Sequence, residues 1–174
     1  MQSVELTQGF SALVDDEDFE RVNALNWFIK KDRRKNTNYA VLADGTRMHR
    51  FIMGLPRGNS PLVDHGDQNG LNNQRYNLRI CTYGQNRANT KKSKGTSQFK
   101  GVHKTSYGTW TVQIKSNKSA KYLGTFKDEV QAALAYDAAA RELFGEFACC
   151  NFAPRKPCVG IPPACMISLS EPRA

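Results

Sequence analysis

The stretch from Val63 to Asn86 reads VDHGDQNGLNNQRYNLRICTYGQN. It places a carboxylate, an imidazole and two carboxamides, Asp64, His65, Asn77 and Asn86, within one short region. These types suit phosphodiester hydrolysis, which needs a base to activate water and a cation to neutralise charge on the phosphate and the departing oxygen. An imidazole with a pKa of ~6.5 accepts a proton at neutral pH, so His65 is the candidate base. Asp64 and Asn86 offer hard oxygen ligands, too few to enclose an ion, which suits a hydrated Mg²⁺ completed by water and phosphate. Asp67 sits in turn chemistry and reads as a loop cap. One convincing carboxylate favours one metal ion over two, with His65 taking the proton from the attacking water. One such site in a monomer would cut one strand.

Local elements must bring these groups together. Leu62 and Val63 end an apolar strand that delivers Asp64 and His65 at its edge. Gly66 to Asn73 is a run of turn residues. Leu78 to Thr82 reads as a second strand, and Thr82 as the N-cap of a helix from Tyr83 to Asn89. Upstream, Asp16, Glu17 and Asp18 occupy the first turn of a helix after Asp15, where the helix dipole favours acids. Trp27 to Lys31 and Tyr39 to Ala43 read as strands, with a turn at Asp44-Gly45.

The chain of 174 residues has room for one medium or two small domains, and 40% hydrophobic residues supply a core. Its formal net charge of +9 points to a polyanion. Between Gln68 and Lys127 there is no Asp or Glu, while Lys and Arg recur throughout. These basic residues are interleaved with Tyr, Trp, Gly and Asn rather than lying along an apolar helix, which favours nucleic acid over a membrane surface, with double-stranded DNA the expected partner. No stretch approaches a membrane span, and Met1 to Phe10 lacks the build of a signal peptide, so a cytoplasmic setting is expected. Cys81, Cys149, Cys150, Cys158 and Cys165 form no Cys-x-x-Cys pair, so they read as free thiols rather than a zinc site.

Residues 90–97 form a polar, basic linker. Beyond them lies a second unit, 98–154. Trp110, Val112 and Ile114 alternate with Thr111, Gln113 and Lys115, the period of a half-buried strand. Phe99 to His103 and Ala120 to Thr125 flank it, and an alanine-rich helix spans Asp128 to Leu143 with Gly145 as its stop. The expected exposed sheet face carries Gln113 and Lys115 with Lys100, His103 and Tyr122. Residues 155–174 read as an irregular tail.

Two resemblances add to this reading. The Asp64-His65 pair, Asn72-Asn73, Asn77-Leu78-Arg79, Asn86 and the upstream Met48-His49-Arg50 resemble the HNH homing endonucleases of the phage and bacterial type. That resemblance implies that Asp64 and Asn86 hold the metal, that His65 is the general base, and that Asn77 braces the loop carrying it. The role of His49 stays open. The second unit resembles the Apetala-type, ethylene-responsive-factor DNA-binding domain. The resemblance rests on Gly101-Val102, Trp110, Ile114, the run Tyr122 to Phe126, Ala132-Ala133, Ala135-Tyr136-Asp137, Phe144-Gly145 and Asn151-Phe152. It implies DNA contacts from Lys100, His103, Thr105, Tyr107, Gln113, Lys115 and Tyr122. Several of these replace the family's arginines, so the plant family's target preference does not transfer.

The expected fold class is therefore α+β. A ββα-metal nuclease core (about 48–89, within a region 1–89) would be joined to a three-stranded antiparallel sheet packed on one helix. The rival readings are a non-catalytic DNA-binding regulator and a single-strand or RNA binder using Tyr107 and Tyr122 as stacking platforms.

Overall fold

The structure is a computed structural model that describes residues 1–32, 37–92, 95–116 and 119–152. The expected tail 155–174, with Cys158 and Cys165, lies outside the described residues, as do Ser93 and Lys94 of the basic linker.

The chain is α+β, built from small antiparallel sheets and few helices. Strands β1 (Gln2–Glu5) and β2 (Ser11–Val14) form a hairpin followed by helix α1 (Asp16–Asn23). Strands β3 (Phe28–Asp32) and β4 (Thr37–Val41) pair next, and α2 (Met48–Ile52) follows. A third hairpin joins β5 (Leu62–His65) to β6 (Leu78–Cys81) and runs into α3 (Tyr83–Ala88). The second unit orders β7 (Val102–Lys104), β8 (Trp110–Ser116) and β9 (Ser119–Phe126) as one antiparallel sheet, then adds α4 (Glu129–Phe144).

Two apolar cores hold these elements. The first gathers Val4, Val14, Val22, Trp27, Met48 and Ile52, so the N-terminal hairpin and α1 share a core with the strand bearing Leu78. Trp27 is buried there and donates its indole N–H to the Val22 carbonyl at 2.8 Å, rather than opening a strand as its β propensity suggests. The second core joins Val102, Val112 and Ile114 to Ala132, Ala133 and Ala140 of α4. Small alanines let the helix approach the sheet closely. Gly101, at φ +77°, is fixed by this approach: a Cβ there would sit 2.0 Å from the Tyr136 ring.

Sequence patterning marks no strands at β1 and β2, yet the hairpin they form is sewn to the candidate site. Leu13 bridges Asn72 in parallel, its N–H donating to the Leu71 carbonyl and its carbonyl accepting from Asn73 N–H, each at 2.8 Å. The acids opening α1 also do more than answer the helix dipole. Asp15 accepts from the Arg75 N–H at 2.7 Å and the Gln74 amide at 3.1 Å. Asp18 is buried and pairs with both Arg75 and Arg21. Burial raises its pKa, but the hydrogen bonds and charge of Arg75 and Arg21 outweigh that and hold it below the usual carboxylate value.

A depressed folded pKa stabilises the protein above the ordinary carboxylate pKa, and that stability is lost as pH falls through the lowered value. Both arginines are about half-exposed, so Asp18→Asn is expected to cost about 2 kcal/mol, between the exposed and buried ion-pair limits. Urea melts at neutral pH should show this loss, and melts in strong acid should show the two proteins converging.

Candidate active site

Thr82 caps α3 as expected: its hydroxyl accepts from Gln85 N–H at 3.2 Å while the Gln85 side chain accepts from Thr82 N–H at 2.8 Å. This reciprocal cap fixes where α3 leaves β6, and α3 packs back against β5.

Asp64 lies near the end of β5, opposite Arg79 on β6, and is 8% exposed. The hydrogen bonds described at its carboxylate converge on Oδ2. Arg79 donates from Nε at 3.0 Å and Nη2 at 2.8 Å, and Asn89 donates from Nδ2 at 2.9 Å. Arg79 therefore pairs with an acid on its own hairpin. It also reaches across to the second unit, donating to the Glu146 carbonyl at 2.6 Å and lying 4.1 Å from the Phe147 ring centroid. The second unit thus touches the group that positions Asp64.

Asn89 escaped the sequence reading. It is buried just past α3, and its amide donates both to Asp64 and to the His65 carbonyl at 2.9 Å. Its spacing of three from Asn86 was the available signal, since residues three apart share a helix face. Asn86 itself is half-buried on α3.

Successive strand residues point to opposite faces, so His65 leaves β5 away from Asp64. Its ring is enclosed rather than open to bulk water, with the residue 5% exposed. It lies 4.9 Å from the His49 ring at 87° and 5.8 Å from the Tyr39 ring. Its Nε2 is 3.2 Å from Asn73 Oδ1. An imidazole enclosed this far can act only on a water or hydroxyl lodged in the site itself. The structure gives His49 a place: it is buried on α2 beside His65, not at a surface facing DNA. Burial raises the Tyr39 phenol pKa, so this wall of the site stays neutral at working pH.

Asn77 is fully buried and spans the loop. Its Oδ1 accepts from Asp67 N–H at 2.9 Å, and its Nδ2 donates to Asp67 Oδ1 at 2.9 Å and the Asn72 carbonyl at 2.8 Å. Its backbone carbonyl accepts from Gly66 N–H at 2.8 Å, directly after His65. Asp67 is occupied as a loop cap, accepting also from Asn69 N–H and the Asn72 amide.

On the second unit, His103, Thr111, Gln113, Lys115 and Tyr122 share the face turned away from α4. Register pairs His103 with Thr111 and Gln113 with Tyr122. His103, Gln113, Lys115 and Tyr122 are exposed, and Tyr107 projects from the β7–β8 turn at 92% exposure. Thr105 closes that turn, its hydroxyl 2.8 Å from that of Thr109.

Lys100 departs from the expected sheet face. Its ammonium donates to the Ala88 carbonyl at the end of α3 at 2.6 Å and lies 5.9 Å from the Tyr136 ring centroid. Burial lowers its pKa. Periodicity could not show this, because Lys100 precedes β7 and sits at the seam between the two units.

Comparison with known proteins fits both halves. An uncharacterized HNH endonuclease of Acanthamoeba polyphaga mimivirus is 36% identical over 150 residues, covering 83% of this chain and 76% of the relative. This chain belongs to the HNH endonuclease family. Its HNH region is fused to a segment of another kind. An ethylene-responsive transcription factor of Arabidopsis thaliana is 34% identical over 96 residues, 52% of this chain and 59% of that protein. A dehydration-responsive element-binding protein of the same plant is 47% identical over 49 residues, 27% of this chain and 24% of its own. The chain thus spans 59% and 24% of these two plant relatives. No family model matches it.

The donor set around the HNH hairpin admits a divalent cation. Among the described residues no cluster of three or more His, Cys, Asp or Glu side chains could wrap an ion. Asp64 is a hard oxygen donor near the end of β5, and Asn86 lies on α3, which packs against that strand. Hard oxygen donors of this type suit a hydrated divalent cation.

Proposed function

We propose that this HNH protein is a metal-dependent DNA endonuclease that nicks one strand of a duplex held by its C-terminal unit. The observation that carries the reading is Asn89. It ties the Asp64 carboxylate and the His65 backbone to the end of the helix bearing Asn86. A residue serving only the core would have no reason to hold those two neighbours with one buried amide.

In this reading Asp64 and Asn86 hold the cation. A divalent ion bound there would neutralise charge on the scissile phosphate and the departing 3′-oxygen. His65 takes the proton from the attacking water. Asn77 keeps the loop after His65 from relaxing, through its bonds to Asp67 and Asn72. His103, Thr105, Tyr107, Gln113, Lys115 and Tyr122 meet the duplex: Lys115 at phosphate, Gln113 at a base edge in the major groove. Lys100 supports the seam instead. Lys115→Ala should weaken binding to all duplexes alike and lower the slope of log affinity against log salt by about 1. An unchanged slope would remove Lys115 from the phosphate contacts.

The reading is tested with supercoiled plasmid and Mg²⁺. Open circles should accumulate before linear DNA, and chelator should stop both. Linear product with no open-circle intermediate would exclude nicking, and cutting in excess chelator would exclude the metal. A second reading, a DNA-binding regulator without catalysis, is favoured by the enclosure of His65 and by relatives that are named transcription factors. It predicts tight duplex binding with no cutting in any divalent ion.

A further inference from the structure

Between Arg87 and Arg141 the chain contains no arginine, so the whole three-stranded sheet lacks the side chain best fitted to read guanine. The face turned away from α4 is built from other groups. Gln113 and Lys115 are exposed on the central strand, and register sets Tyr122 beside Gln113 and Ala120 beside Lys115. A register shift between Val112 and Gln113 leaves Leu123 unpaired, so Thr125 joins this face opposite Thr111.

The hydroxyls here are already engaged. Tyr122 Oη lies 2.7 Å from Thr125 Oγ1, and Thr111 Oγ1 donates to the His103 carbonyl at 3.3 Å. No side-chain hydrogen bond ties down the Gln113 carboxamide among the described residues. Its backbone N–H donates to the Gly101 carbonyl at 3.0 Å, so its neighbour on the β7 side has no side chain to crowd it. A carboxamide offers donor and acceptor side by side. Adenine presents the matching pair in the major groove, N7 accepting and the N6 amino group donating. Guanine presents two acceptors there, so the amide oxygen would face a second oxygen with no hydrogen between them. With their hydroxyls engaged, Thr111 and Thr125 have methyl groups left to offer, as Ala120 does, and methyl groups suit the thymine C5 methyl. Lys115, at the hairpin end of β8, is the one ammonium on this face among the described residues, which suits a phosphate at its margin.

We propose that the second unit reads A·T pairs in the major groove, with Gln113 the specificity-determining residue that selects adenine. The inference rests on the reading that this sheet meets duplex DNA.

The test offers the full-length protein a pool of duplexes with a randomised core, in excess chelator so that none is cut, and sequences the bound fraction. Wild type should enrich a core containing adenine. Gln113→Ala should lose preference at one position only and bind the selected duplex about tenfold more weakly, the discrimination that one bidentate pair supplies. Gln113→Arg should turn that position to guanine. 7-Deazaadenine placed there, which lacks N7, should cost wild type as much as Gln113→Ala does and should cost Gln113→Ala nothing further. Gln113 is exposed, so both variants should melt with wild type. A G·C pair enriched at the position that Gln113→Ala relaxes overturns the proposal, as does a motif indifferent to both substitutions. Equal, salt-dependent binding to every duplex also overturns it, while leaving the sheet on the DNA. Absence of duplex binding overturns the underlying reading as well.

Discussion

His65→Ala should slow nicking by roughly 10²- to 10⁴-fold, the usual contribution of a positioned general base. Duplex affinity should not change, because the imidazole is enclosed by Tyr39, His49 and Asn73 rather than lying on the sheet proposed to meet the duplex. The pattern to look for in single-turnover kinetics is a fallen rate constant with an unaltered half-saturating DNA concentration. A variant that instead lost binding with its rate intact would move His65 from chemistry to recognition.

Asp64→Asn should cost about as much by a different route. Charge stabilisation by a bound cation is worth several kcal/mol, and each 1.4 kcal/mol is about tenfold, so a loss on the order of 10²- to 10³-fold follows. This substitution should also disturb the structure. Arg79 would lose its carboxylate while still held by the Glu146 carbonyl and the Phe147 ring. Removing the buried partner leaves Arg79 only the exposed Glu146 carboxylate at 3.9 Å and is expected to cost about 2 kcal/mol. Thermal or urea melts alongside the kinetics separate the two effects. Excess Mg²⁺ should not restore the rate of Asp64→Asn, and full recovery would show that Asp64 only supports the hairpin.

The sequence was most informative where chemistry and turn geometry coincide. Asp64, His65, the Asn-rich loop and the Thr82 cap all announce themselves through residue types that have few other uses in combination. The alternation of Trp110 to Lys115 announces a sheet with one buried face. What stayed hidden was assembly. The β1–β2 hairpin is short, and only the fold shows Leu13 pairing with the loop beside His65. Asp15 and Asp18 fit a helix start so well that their part in holding Arg75 left no separate trace. Asn89 looked like the end of a helix, and Lys100 like one more basic residue in a basic stretch. Both act across the seam between distant parts of the chain, and local periodicity carries no information about such contacts.

That seam has a consequence for how the two units cooperate. Arg79 joins Asp64 to the turn after α4, and Lys100 joins the second unit to the end of α3. The second unit is therefore more than a tether, because it is packed against residues that position the candidate metal ligand.

Paramagnetic broadening by Mn²⁺ puts the site itself to trial. Titrated into the ¹⁵N-labelled protein, Mn²⁺ should broaden amide signals around the end of β5 and along α3. The effect should disappear in both Asp64→Ala and Asn86→Ala. Broadening that ignores both substitutions, or that centres elsewhere on the chain, would contradict a cation shared by that carboxylate and that amide.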